Sequence, residues 1–265
     1  MFLFRILNIL CHFLSEFMEK EETVKISKKT QKVLLDFVEM ASGSYTSKNQ
    51  PGSLFYVKAD SGFMCKVFLY QNNIVVSFKG TSPILFGFNT HENSEKDHFI
   101  DSAFFTCKNT NLVRLVKQHF FEDLKNLFIR IEKEFKGSTI FLTGHSLGGT
   151  IATISASMFN YDAVVFSSPG DKFLHQQLGI KPRDDKILHI GLCNDTIFFG
   201  KCGIKSVCSF FNYELYTKCH TGVKYCLKTP GFENIFYHSC QTIKRMIKYG
   251  ILYQRIDQKD CLDCV

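Results

Sequence analysis

Residues 144–149 read Gly144-His145-Ser146-Leu147-Gly148-Gly149. A run of β-branched and aromatic residues, Thr139 to Thr143, precedes them, and a helix-compatible stretch from Thr150 to Phe159 follows. The order is strand, tight glycine turn carrying a serine, then helix. No other feature limits the fold as much. A turn this sharp is strained, and a Cβ at 144 or 148 would collide with the neighbouring strand and helix. The strain aims Ser146 Oγ out of the sheet. The helix N-terminus behind it favours a developing negative charge. The pattern points to a nucleophile acting on a carbonyl.

The rest of the chain is read around that turn. Apolar residues at helical spacing (Val33, Leu34, Phe37, Val38) predict a helix over 33–40 ending near Ser42-Gly43. Strands are expected at 63–70 and 74–78, with Gln71-Asn72-Asn73 as the turn between them. A long amphipathic helix is expected over 112–135, stopped by Lys136-Gly137. Further strands are expected at 163–166 and 186–192, and a last helix over 239–256. The charged stretch 16–32 reads as a linker or frayed helix. Strands alternating with helices predict an α/β fold with a mostly parallel central sheet flanked by helices. A length of 265 residues gives room for one such domain.

Charge and cysteine content bear on location. The formal charge is +7, from scattered lysines, with no dense basic run interleaved with aromatics. That argues against nucleic acid and leaves an anionic lipid surface open. Eleven cysteines are many for a reduced cytosol. Cys202, Cys208, Cys219 and Cys226 cluster without paired C-x₂-C knuckles, so disulfides are expected rather than zinc, and no metal or other cofactor. The apolar run Met1–Leu14 carries Arg5, Asn8 and His12, has the size of a signal-peptide core, and lacks a good cleavage site. Residues 1–23 are expected to be a signal or anchor segment with a linker, and 24–265 a single domain on the endomembrane route.

A serine needs a base, and the base an orienting acid. Asp195 lies on a loop just after the strand ending at Leu192, which suits the acid. Asp171 is the second candidate. His238, just before the terminal helix, is favoured as base over His220; His189 lies within a strand and reads as a sheet residue. One oxyanion donor is the N–H of Leu147, the residue after the nucleophile. Lys79-Gly80-Thr81 ends an earlier strand and offers Thr81 as the second. The sequon Asn194-Asp195-Thr196 is expected to stay unmodified, because a glycan there would crowd the acid.

With these residues assembled, the chain resembles the class 3 (fungal-type) lipases, and within them the autophagy-related vacuolar lipases. Ala41 to Tyr45 and Lys79-Gly80-Thr81-Ser82, followed by Leu85-Phe86-Gly87, carry the likeness. So do Gly144 to Gly149, and Asn194-Asp195-Thr196-Ile197 running on to Cys219-His220-Thr221-Gly222. The resemblance spans roughly residues 30–250. It implies an α/β-hydrolase fold, Ser146 as nucleophile, Asp195 as acid and His238 as base. It also implies Thr81 and Leu147 as oxyanion donors, and a structural role for His220. Residues 83–100 stand where that family carries a lid, with Ile84, Leu85, Phe86 and Phe88 as its apolar side. The implied activity is hydrolysis of lipid esters, triacylglycerol or phospholipid, at a membrane or lipid surface in a vacuolar or lysosome-like lumen. An acyltransferase or thioesterase would use the same machinery, and an inactive lipid-binding protein would keep only the fold.

Overall fold

The apolar runs build one mixed sheet. The computed structural model describes residues 23–81, 104, 110–201, 217–229, 237–250, 253–258 and 261–263. Among these, nine strands form the sheet: β1 (Thr23–Val24), β2 (Ser53–Lys58), β3 (Met64–Tyr70), β4 (Asn73–Phe78), β5 (Ile140–His145), β6 (Asp162–Phe166), β7 (Ile187–Leu192), β8 (Val223–Leu227) and β9 (Tyr253–Arg255). Their spatial order is β1-β9-β8-β7-β6-β5-β4-β3-β2. β4 to β8 run parallel, and antiparallel strands close both edges. The central strands are apolar on both faces, as a sheet covered twice requires.

Two layers of helix do the covering. On one face lie α1 (Lys28–Gly43) and α5 (Cys240–Lys248), with Leu34, Phe37, Ile243 and Ile247 packed on Phe141, Val164 and Leu188. On the other lie α2 (Thr110–Glu134), α3 (Leu147–Phe159) and the short α4 (Lys172–Leu178), with Leu124, Phe128, Ile151 and Leu174 packed on Val76, Leu142 and Val165. Phenylalanines fill this second layer edge to face: Phe63 on Phe78 and Phe120, and Phe104 on Phe120. Each such ring buries large apolar area and adds roughly 0.5–1.5 kcal/mol through its contact geometry. A chain with 28 Phe and no Trp thus builds this aromatic layer chiefly from phenylalanine.

Local chemistry explains most boundaries. The Ser27 hydroxyl accepts from Thr30 N–H at 3.1 Å and caps α1. Tyr70 and Asn73 pair across the β3–β4 turn, so only Gln71 and Asn72 form it, both at positive φ. Three expectations need correction. The stretch 16–32 holds β1 and the start of α1 where a linker or frayed helix was expected. The elbow helix begins at Leu147, not Thr150. The terminal helix ends at Lys248 rather than continuing to 256. The chain turns at Gly250 (φ +65°) and returns as β9, whose Tyr253 pairs with Leu227 and is buried. The edge strand β2, helix α4 and strand β8 are additional to the expected elements.

Strand register places four loops together. Phe78, at the end of β4, lies level with Gly144 of β5, so Lys79-Gly80-Thr81 leaves the sheet beside the elbow. Asp195 follows the end of β7, and His238 stands just before α5. Ligand sites of parallel α/β sheets form at these carboxyl ends.

Candidate active site

The elbow is tight because two glycines have no side chain. A Cβ on Gly144 would strike the backbone of Gly148 and Gly149 at the start of α3. A Cβ on Gly148 would strike the backbone of Phe78 and Lys79 at the end of β4. Ser146 sits between them at φ 58°, ψ −133°, a strained conformation for a residue with a side chain. Its N–H donates to the Phe166 carbonyl at 3.1 Å and its own carbonyl accepts from Gly149 N–H at 2.9 Å, which fixes the turn. Leu147 opens α3, so its N–H is among the first-turn donors that have no partner within the helix.

Asp195 is buried. Its Oδ1 accepts from the N–H groups of Ile197 at 3.0 Å and Phe198 at 3.3 Å. Both carboxylate oxygens also face His238 Nδ1, at 3.0 and 3.2 Å. A carboxylate only accepts, so Nδ1 carries the proton and Nε2 is left with its lone pair. Nε2 is buried and has no hydrogen-bond partner among the described residues. The His238 ring packs on that of His145, the residue before Ser146, with centroids 4.6 Å apart. Hydrogen bonds between nucleophile and base are commonly long until substrate closes the site.

Gly80 is the point where the neighbouring loop meets the elbow. A Cβ there would strike the Tyr45 hydroxyl and the His145 carbonyl oxygen. Thr81, the next residue, is buried at this junction. Lys79 Nζ donates to the Gly80 carbonyl at 3.0 Å, pinning the loop from behind. The proposed lid residues Ile84, Leu85, Phe86 and Phe88 lie outside the described residues, as do Cys202 and Cys208.

The less favoured candidates form a separate buried network. Asp171 accepts from Thr221 N–H and Thr221 Oγ1, both at 2.7 Å, and does not meet His238. His189, inside β7, has Nδ1 2.8 Å from Ser168 Oγ. His220 Nε2 lies 2.9 Å from the Ser168 carbonyl and Nδ1 3.0 Å from that of Lys218. Burial pushes His189 down to about 4 and Lys224 down to about 7. These side chains tie α4, β7 and β8 together. A cavity of about 490 Å³, lined by Lys172, His220, Lys224 and Arg255, opens at the amino end of β8, opposite the elbow's end of the sheet.

Two disulfides lock the surroundings. Cys193–Cys226 joins the residue two before Asp195 to β8. Cys219–Cys261 ties the His220 loop to the tail, where Gln258 Oε1 accepts from His220 N–H at 2.9 Å. The Asn194 side chain donates to the Thr229 carbonyl at 3.2 Å. Among the described residues no helix is long and apolar enough to cross a membrane.

Sequence reasoning overlooked how Tyr45 and His145 meet. Tyr45 Oη lies 2.9 Å from His145 Nδ1. The signal available was a ring residue standing directly before Ser146.

Residues 75–169 match the model of the family described as Lipase (class 3). ATG15 of Vanderwaltozyma polyspora, a lipase by name, is 28% identical over 261 aligned residues, covering 83% of this chain and 46% of that one. ATG15 of Eremothecium gossypii, also a lipase by name, is 31% identical over 173 residues, covering 60% of this chain and 31% of that one. The chain therefore spans less than half the length of these curated relatives. Among solved structures, the nonglycosylated LIP2 lipase of Yarrowia lipolytica aligns over 90% of this chain and 89% of its own. Its TM-score is 0.51 at 12% identity, a likeness of fold. The chain is thus similar to the class 3 lipases over the matched segment, which runs from β4 through the elbow to Pro169, and to these ATG15 relatives.

Proposed function

We propose that the chain hydrolyses lipid esters with Ser146 as nucleophile, His238 as general base and Asp195 as its orienting acid. The observation that carries this is the Asp195–His238 hydrogen bond formed beside a strained serine turn. His238 Nε2 takes the Ser146 proton as Oγ attacks the acyl carbonyl. The oxyanion is held by the N–H groups of Leu147 and Thr81, aided by the dipole of α3. The intermediate collapses, the carbon–oxygen bond to the alcohol breaks, and His238 gives its proton to the departing oxygen. Water then attacks the acyl-serine and loses a proton to His238; the bond to Ser146 Oγ breaks, His238 returns the proton to Oγ, and the fatty acid leaves. Asp195 stays ionised throughout and stabilises the imidazolium.

The substrates are triacylglycerols or phospholipids at a membrane or lipid surface. The two disulfides suit an oxidising lumen, vacuolar or lysosome-like, reached through the N-terminal apolar segment. Incubation with mixed vesicles of triacylglycerol and phospholipid, followed by product analysis, tests this reading. Free fatty acid from wild type and none from Ser146→Ala is expected. Ester products formed only with an added alcohol acceptor would point to acyl transfer instead.

A further inference from the structure

The elbow geometry requires glycines at 144 and 148, yet it places no demand on the side chain at 145. That side chain is nevertheless the one that meets the base. The His145 ring is buried, its centroid 4.6 Å from that of His238 with 39° between the planes. On its other side Tyr45 Oη lies 2.9 Å from Nδ1. The same hydroxyl, with the His145 carbonyl, occupies the space that a Cβ on Gly80 would need. Tyr45 stands just past the C-terminal end of α1, where Ser44 Oγ donates to the Phe78 carbonyl at 3.2 Å and joins that end to β4. One tyrosine hydroxyl thus touches the residue before the nucleophile at the point where the oxyanion loop passes.

We propose that His145 is a positioning residue for His238: a neutral ring, held in place by Tyr45, that sets the plane in which the base swings between Ser146 and the leaving group. The inference rests on the assignment of His238 as base. Asp195 fixes one edge of the His238 ring through Nδ1 but leaves rotation about that contact open. The His145 ring packed beside it, tilted by 39°, restricts that freedom, and near-attack geometry is sensitive to such small rotations. Neutrality is part of the fit. When His238 becomes an imidazolium, a second cation 4.6 Å away would oppose it. Burial, and after it the proximity of His238, holds His145 well below the usual histidine range, so the ring stays uncharged through the cycle.

The test is a double-mutant cycle on a soluble p-nitrophenyl ester, measuring kcat and KM separately for His145→Ala, Tyr45→Phe, His145→Phe, His238→Ala and the double variant His145→Ala/His238→Ala. Thermal melting of each variant reports folding. His145→Ala is expected to lose at least thirtyfold in kcat with KM changed less than threefold. Tyr45→Phe, which removes a single oxygen, is expected to lose about tenfold in kcat. His145→Phe keeps a flat neutral ring but loses the Tyr45 contact, so it is expected to lose about tenfold, as Tyr45→Phe does, and less than His145→Ala. In the His238→Ala background the His145→Ala change should cost nothing further, because the ring acts only through the base. Equal losses with and without His238, or a Tyr45→Phe variant with wild-type kcat, would overturn the positioning role while leaving the base assignment intact. A fully active His238→Ala variant would overturn both.

Discussion

Asp195→Asn is the most informative change short of removing the nucleophile. The carboxylate does two jobs, and its oxygens share them unequally. Oδ1 receives the backbone N–H groups of Ile197 (3.0 Å) and Phe198 (3.3 Å) and lies 3.2 Å from His238 Nδ1, while Oδ2 makes the shorter contact to Nδ1 at 3.0 Å. Asparagine keeps one oxygen for the backbone donors and turns an NH₂ towards the histidine. An NH₂ group only donates there, so His238 Nδ1 must accept, and its proton moves to Nε2. The base then has no lone pair to offer Ser146. Loss of the correct tautomer and of the imidazolium's counter-charge should lower kcat by about 10³–10⁴-fold, roughly 4–5.5 kcal/mol of barrier. Folding should suffer far less. The replacement is isosteric and leaves no cavity, so the change is about 1–2 kcal/mol from weaker hydrogen bonds. The assay pairs kcat on a soluble ester with the urea midpoint of unfolding. A variant with a near-native midpoint and kcat within tenfold of wild type would show that Asp195 does not set the tautomer of the base.

Further outcomes follow from other contacts. Gly148→Ala drives a methyl group into the backbone of Phe78 and Lys79, so it should destabilise the fold by at least ~2 kcal/mol and depress kcat, measured by urea unfolding and turnover. An unchanged midpoint would contradict the close approach. Cys226→Ser opens the bridge to Cys193, 33 residues away, and should cost about 3–4 kcal/mol of stability together with a fall in kcat as the Asp195 loop loosens; stability lost with kcat intact would separate the bridge from the site. Lys224 is buried, with its folded pKa pushed from 10.5 down to about 7. Below pH 7 both folded and unfolded states hold its proton and the full burial penalty applies; between pH 7 and 10.5 only the unfolded state does, so stability rises with pH. Lys224→Met should therefore stabilise the protein by about 2–4 kcal/mol at pH 6, with the gain shrinking towards pH 10. Equal melting shifts at both pH values would refute it.

The readable parts of the molecule were those governed by local rules. Glycines at 144 and 148, Gln71-Asn72 of the β3–β4 turn and the apolar spacing of α1 each act within a few residues, so their elements followed from the sequence. Asp195 stands out in the sequence as a candidate because it follows a strongly apolar strand. Misreadings arose where distant pairing decides. The tail was extended as helix because Ile243, Met246 and Ile247 keep helical spacing, but Tyr253 is claimed by β8. β8 itself was hidden by Lys224, whose burial depends on Phe198 and Phe199, with Nζ 4.6 and 4.5 Å from their ring centroids. The contact among Tyr45, His145 and His238 joins three distant segments and has no trace in spacing.

In the proposed mechanism Ser146 is a nucleophile activated by His238. Reaction with a fluorophosphonate, followed by peptide mapping, reads out that activation. One covalent adduct, on Ser146, is expected in wild type, with slow or absent labelling in His238→Ala. An adduct elsewhere in the chain, or a Ser146→Ala variant that still cleaves esters, would contradict it.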